Sequence, residues 1–470
     1  MKKFWEKHDL FKLAGIMVLI TVLLTWVIPQ GYWSNSEMVI GDITRVGIFD
    51  FFTYGLLGMY YFTVLVTFLF VLGGFYQVLS KAGGYQKLTD SIAKKFNGKE
   101  ILFVLIVSLI IALLTAVMND YFVVIAFIPF IVTIMAKMKL DKLTGFVATF
   151  GAILVGIIGT IYSSKIVGIS VSTFGIEHGT YLWVKWVLFA ASFVIFNLFT
   201  VLHMKKALKD KKAVAIEELF VSETTTKKTK VWPVAVILSI FVVVGILAYM
   251  PWDTAFNITW FADATTWIKE VEIFGAKVFA YILGTFEAFG KWDVFGIQVL
   301  MLITALIVKW VYKIKNEEFF TAFGEGFKKT GKLVILLLTT YVVLEFAVMF
   351  PVLPTIIDFI MGIISKFNVV LGTIAGLITS LFTVEYQYTA NLIGAYFVGS
   401  YADFAKQIPI MLQATYGLAS FFTPASAILL MGLSYLGISY KDWFKYIWKF
   451  LVAMFVIIII LMLIIFKVSA

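Results

Sequence analysis

Apolar runs of roughly 20 residues, the length that crosses a hydrocarbon core at about 1.5 Å per helical residue, recur along the whole chain. They fall near 13–28, 52–79, 143–170, 181–202, 231–249, 294–312, 333–352, 408–433 and 448–467. Two further apolar pairs are interrupted at their centres. The first, 101–136, is split by Asn119 and Asp120; the second, 369–402, is split by EYQYTAN, from Glu385 to Asn391. The second pair has arms of 16 and 11 residues, short for full crossings, and reads as a re-entrant hairpin. The first has arms of 18 and 16 and reads either as a re-entrant hairpin or as two ordinary spans. Segments 33–51 and 315–330 are too polar to span and are expected to be amphipathic helices lying in the interface. The region 250–291, with Trp252, Trp260 and Trp267, is expected to rest on the outer surface in the same manner.

The order of parts repeats. Span, interfacial segment, span, hairpin, interrupted span and span run through residues 1–205, and the same order returns over 294–470. KFN precedes each hairpin, at 95–97 and at 366–368. From Asp120 to Thr160 is 40 residues and from Glu385 to Thr423 is 38, so each tip is followed at a similar distance by a polar break within a span. Between the halves lie a polar connection with eight lysines before Trp232, the lone span 231–249 and the outer region. That single extra span makes the second copy enter the membrane from the opposite side, the arrangement of secondary transporters. The expected fold is therefore an all-α polytopic membrane protein with an inverted repeat, two re-entrant hairpins and two interrupted helices.

Composition narrows the function classes. Of 470 residues 61% are hydrophobic and 14% charged, which excludes a soluble domain. The net charge of +10 comes from lysines in the connections, as topology sorting requires, and calls for no nucleic acid partner. Both ends of the first pair and the long connection are expected in the cytoplasm, together with the basic N-terminus, and the C-terminus outside the cell membrane. The chain has no cysteine, so disulfides and thiolate metal sites are excluded. His8, His178 and His203 fall at loops or span ends, and no metalloprotease or phosphate-loop motif exists, so an enzyme is not expected. Arg45 is the one arginine, so a bidentate clamp on a carboxylate inside the membrane is not available.

Four breaks carry the candidate chemistry. At the first tip, Asn119 and Asp120 place an amide and a charge where an ionisable group needs water, a partner or a ligand. Within GIIGTIYSSKIVG (156–168), Thr160, Ser163, Ser164 and Lys165 interrupt a helix whose two halves would offer N–H groups to an anion and carbonyls to a cation. Lys165 is either a mid-membrane cation or a residue snorkelling at the outer end of a continuous helix. The second tip offers Glu385, Gln387 and Asn391. The last break has Thr423, Pro424 and Ser426, and Pro424 frees a helix carbonyl. Carbonyls near Gly159 and Thr423 are candidate Na+ ligands, with H+ as the other coupling ion; no further cofactor is expected.

Three stretches carry a resemblance: GGFYQVLSKAGGYQKLTDSIAKKF (73–96), GFVATFGAILVGIIGT (145–160) and FFTPASAILLMGLSYLGISYKDWFK (421–445). The chain resembles the YfcC-type, C4-dicarboxylate anaerobic carrier-like transporters of the ion transporter superfamily. The resemblance implies a dimerising scaffold and a mobile, elevator-like domain of hairpins and interrupted helices. It places the tips at Asn119 and Asp120 and at Glu385 to Asn391. The breaks then fall at Gly159, Thr160, Ser163 and Ser164 and at Thr423, Pro424, Ala425 and Ser426. The chain departs from that pattern in bearing an acid at both tips, where related dicarboxylate carriers have Ser-Asn-Thr. It also has Ile161, Tyr162 and Ser163 where they have Asn-Pro-Phe.

The acids bear on the substrate. At an effective dielectric constant of about 20, two like charges 4 Å apart cost roughly 4 kcal/mol. A dianion beside Asp120 and Glu385 needs them protonated, whereas an amino acid, a basic one included, brings its own cation. The expected function is thus ion-coupled symport or exchange of a small carboxylate-bearing metabolite, an amino acid before a C4 dicarboxylate or other short organic anion. A channel is the remaining alternative. The expected partners are a small-molecule substrate, the lipid bilayer and a second copy in a homodimer.

Overall fold

The computed structural model describes residues 9–34, 37–209, 214–220, 229–364 and 366–468, and for Ser164 and Val468 the backbone alone. The basic residues 1–8, and Lys211, Lys212, Lys227 and Lys228 of the long connection, lie outside the described residues. Among the described residues the fold is all-α apart from one short β-pair, and eight helices are long and apolar enough to cross a membrane.

Two faces can be told apart by what meets there. On one, the Tyr440 N–H donates to Asp9, His203 meets Asp141 at 3.0 Å, and Lys137 pairs with Asp90 at 2.6 Å. On the other, the Gly31 N–H donates to the Pro351 carbonyl, and Phe367 stacks on Phe466 near the C-terminal end. The first hairpin, Glu100–Val117 and Phe122–Lys137, opens on the lysine-rich face. The second, Val369–Ser380 and Tyr386–Ser400, opens on the opposite one, where Gly399 lies against Trp33. The two interrupted helices follow: Lys142 to Ile158 with 164–174, and Gln407–Ala419 with Ala427–Leu436.

The core sits where the first halves of the interrupted helices cross. Every residue of Ala152–Ile158 and of Gln407–Ala419 is buried. They approach so closely that a Cβ on Gly417 would stand 2.4 Å from the Ile158 Cα, which only glycine permits. Each first half also packs on its own hairpin through a glycine, Gly156 against Thr115 and Gly376 against Thr415.

Three expectations are corrected. Residues 33–51 do not form an amphipathic helix. Gly31–Ser34 pairs antiparallel with Glu37–Ile40, and the next helix starts at Ile48. The span expected at 52–79 is two helices, Ile48–Tyr61 and Thr63–Lys81, broken at Phe62, whose ring lies 4.0 Å from that of Tyr341. Segment 315–330 is not separate from the span after it, because Asn316–Met349 is one helix of 34 residues. Its polar turns were misleading because packing absorbs them. The Gln77 side chain donates to Glu325 at 3.1 Å and accepts from Lys329 at 3.0 Å, and Gly73 meets Gly326 backbone to backbone.

Candidate functional site

Each break is stitched to the tip of its own hairpin. In the first repeat the chain leaves helical geometry after Ile158, which would orphan three N–H groups. Those of Ile161, Tyr162 and Ser163 all point at the Ala116 carbonyl, at 2.9, 3.1 and 3.2 Å, one residue before the first arm ends. In the second repeat the Thr423 hydroxyl donates to the Leu381 carbonyl at 2.6 Å and accepts from the Ala425 N–H at 3.1 Å. Ser426 then caps the following helix by accepting from the Leu429 N–H. The Tyr416 hydroxyl adds a bond to the Val384 carbonyl at 2.9 Å.

This stitching brings three charged side chains together. Lys165 Nζ donates to Asp120 Oδ2 at 3.2 Å and lies 3.6 Å from Glu385 Oε2. Asp120 comes from the first tip, Lys165 from the first turn after the first break, and Glu385 from the second tip. The ammonium also lies 5.0 and 5.1 Å from the ring centres of Tyr121 and Phe122. Asp120 is 8% exposed, and its other oxygen accepts from the Phe122 N–H at 2.9 Å, a turn made within the tip itself. Glu385 is held from outside its hairpin, by the Tyr341 hydroxyl at 2.6 Å. The geometry is thus an ion triad of two carboxylates and one ammonium, walled by tyrosines in a buried region where removing the ammonium strands both carboxylates, while removing either carboxylate leaves a paired ammonium.

The remaining expected residues divide. Thr160 and Ser163 are buried beside the triad's supports, and the Thr160 hydroxyl has no hydrogen-bond partner among the described residues. Pro424 is partly buried and Ser426 serves as a helix cap. Asn119 turns away from the triad. Its N–H donates to the Tyr249 carbonyl at 2.8 Å and its side chain to the Gly290 carbonyl. Gln387 and Asn391 are exposed and stand outside the triad. Lys165 is neither snorkelling nor free to greet an anion, because both acids already hold it. The side chain of Ser164 lies outside the described residues.

A cavity of about 460 Å³ leads to Asp120, bounded by Asn119, Asp253, Thr254 and residues 290–293. It opens beside the end of helix Trp232–Tyr249, away from the lysine-rich face on which that helix starts.

Sequence reasoning missed Tyr341 and its neighbour one turn on, Glu345, which is 7% exposed. The signal was present. An acid stands inside the apolar run TTYVVLEFAVMF, where an ionisable group needs water, a partner or a ligand.

The sequence profile of the C4-dicarboxylate anaerobic carrier family matches residues 8–467. The crystal structure of the Alcanivorax borkumensis YdaH transporter is similar over 96% of this chain and 98% of that one, at 14% identity and a TM-score of 0.40. No individually curated protein matches the chain.

Proposed function

The chain belongs to the C4-dicarboxylate anaerobic carrier family, a family of carriers rather than enzymes, and from that premise we propose that it is a secondary carrier of a short organic anion, a C4 dicarboxylate before others. The observation that supports a working centre is the triad itself, in which both tips and the first break meet at one buried point. With both acids ionised the triad carries a net charge of one negative, which repels a dianion. A substrate carboxylate that reaches Lys165 therefore needs a compensating cation, and a proton taken up with it is one such ion. Na+ at the carbonyls around Gly159 and Thr423, next to the unpartnered Thr160 hydroxyl, is the alternative coupling ion.

A second reading, transport of an amino acid, is favoured by the same negative balance. A substrate ammonium takes up one acid while Lys165 keeps the other. In either case the hairpins and interrupted helices move as an elevator against a dimeric scaffold in the cell membrane, with the N-terminus in the cytoplasm and the C-terminus outside.

The test is a thermal-shift screen of the purified protein against succinate, fumarate, lysine and arginine, followed by counterflow in liposomes. Saturable exchange of a dicarboxylate supports the first reading, and exchange of an amino acid alone replaces it with the second. Flux that neither saturates nor exchanges points to a channel and sinks both.

A further inference from the structure

Lys165 occupies both tip acids, but another buried acid, Glu345, has no such partner among the described residues. Glu345 lies on the helix Asn316–Met349, one turn beyond Tyr341, so their side chains share a face. It is 7% exposed, and its Oε1 is fully buried with no hydrogen-bond partner among the described residues. Its Cβ and Cγ back onto Gly58 of the helix Ile48–Tyr61, where a Cβ would stand 3.1 Å from its own.

The groups that face it are few. On its own helix stands Tyr341, whose hydroxyl is spent on Glu385. From the second hairpin comes Tyr388, which lies within electrostatic reach of Glu345, Glu385 and Lys165 together. Gly58 brings no charge. Among the described residues no cation pairs with Glu345, and Lys165 is already shared between two carboxylates. A further ionised carboxylate here would be buried and unpaired, an arrangement that proteins avoid by keeping the group neutral.

From this we propose that Glu345 is a proton-binding site, occupied in the conformation seen here, and that its proton is the ion coupled to transport. The proposal rests on the carrier reading above and goes beyond it by naming a residue outside the triad as the site of the coupling proton. The placement suits coupling. Glu345 sits on a helix locked to Thr63–Lys81 by the Gly73 and Gly326 contact, while Tyr388 belongs to the hairpin that carries Glu385. In the proposed cycle, movement of that hairpin carries Tyr388 away and admits water to Glu345, where the neutral acid releases its proton as hydronium and becomes a carboxylate. Return of the hairpin requires the proton back. Each cycle thus carries one proton with the hairpin's movement.

Two measurements on the full-length protein test this. Infrared difference spectra of wild type and Glu345→Gln at neutral pH are expected to show the carbonyl stretch of a protonated buried carboxyl that the variant lacks. In liposomes loaded with a pH-sensitive dye and tested with succinate and lysine, a gradient of about one pH unit sustains up to about tenfold accumulation per coupled proton. Glu345→Gln is expected to lose that accumulation and its dye response while keeping counterflow, and Glu345→Asp is expected to retain accumulation with a displaced pH profile. An unchanged infrared band, or gradient-driven accumulation in Glu345→Gln equal to wild type, overturns the proton site. Absence of counterflow in the unaltered protein instead overturns the carrier reading, and the infrared result still decides the protonation of Glu345.

Discussion

The first hairpin holds its acid between arms of 18 and 16 residues, whereas the second holds Glu385 between arms of 12 and 15. The longer one matches its neighbour Trp232–Tyr249, also 18 residues, and its tip bonds to the end of that helix through Asn119. The shorter one ends against other parts of the core and is tied by Tyr416 and Thr423. Their acids are positioned by different means. Asp120 is set locally, by a bond to the N–H two residues on, while Glu385 is set by Tyr341 of another helix. The pair shows that two halves with the same order of parts need not be equivalent. One tip is pre-formed by its own turn, and the other takes its geometry from the helix it meets.

The largest expected effect comes from removing what joins the two. Lys165→Met leaves two buried carboxylates facing each other. It should abolish counterflow and lower the unfolding free energy by about 3–5 kcal/mol, as breaking buried ion pairs does. Adding Asp120→Asn should recover part of that stability. A single variant as stable as wild type in chemical denaturation would mean that the triad is not closed.

Next comes the asymmetry itself. Tyr341→Phe removes a bond to a charged group, worth about 1.5–3 kcal/mol, and should weaken solute binding roughly 10- to 100-fold by titration. Asp120→Asn keeps the oxygen that accepts from Phe122 and should lose transport without losing fold. Asp120→Ala should cost about 1 kcal/mol more in stability than Asp120→Asn, because the turn goes too. Equal stability of the two would show that the tip does not depend on its own bond.

A smaller effect is expected at the base of the first interrupted helix, which has no counterpart in the second. Asp141 caps it by accepting from the Thr144 N–H and meets His203 at 3.0 Å. Burial pushes its carboxyl up, but the bonds from His203 and Thr144 outweigh that and hold it below its ordinary value. A depressed carboxyl contributes stability above its unfolded value of about 3.9, lost as pH falls through the lower folded value. Asp141→Asn should therefore cost about 1–2 kcal/mol at neutral pH, and the difference from wild type should close in strong acid. A gap in thermal unfolding that does not narrow with acid would remove His203 and Thr144 as the cause.

The smallest readout is accessibility. In this cysteine-free chain Asn119→Cys should react with an impermeant thiol reagent from the side of residues 250–293, where the cavity opens. Labelling from the lysine-rich side alone would contradict that opening.

Much of this was legible in the sequence because the signals are local. Interrupted runs mark hairpins and broken helices since a buried backbone without a helix needs polar or turn-forming residues nearby. Asp120 and Glu385 stood out for that reason, as did Thr160 and Thr423. Gln387 and Asn391 looked equivalent to them by composition. They stay outside the triad because a helix that starts at Tyr386 turns successive residues to different sides. Glu345 went unread because a single acid does not break the apolar average of its run, and 316–349 was cut in two because polarity was read where packing ruled.

By itself, the sequence determined a membrane protein of two similar halves, the sites of its four breaks and the inversion between them. Each follows from the length of apolar runs and the backbone's need for hydrogen bonds in lipid. Only the tertiary structure decided that Lys165 belongs to both acids, that Tyr341 holds one of them, and that Glu345 Oε1 has no partner among the described residues. Those facts are distances between segments far apart in the chain, and a charge buried in an apolar body takes its meaning from whatever group the fold sets beside it.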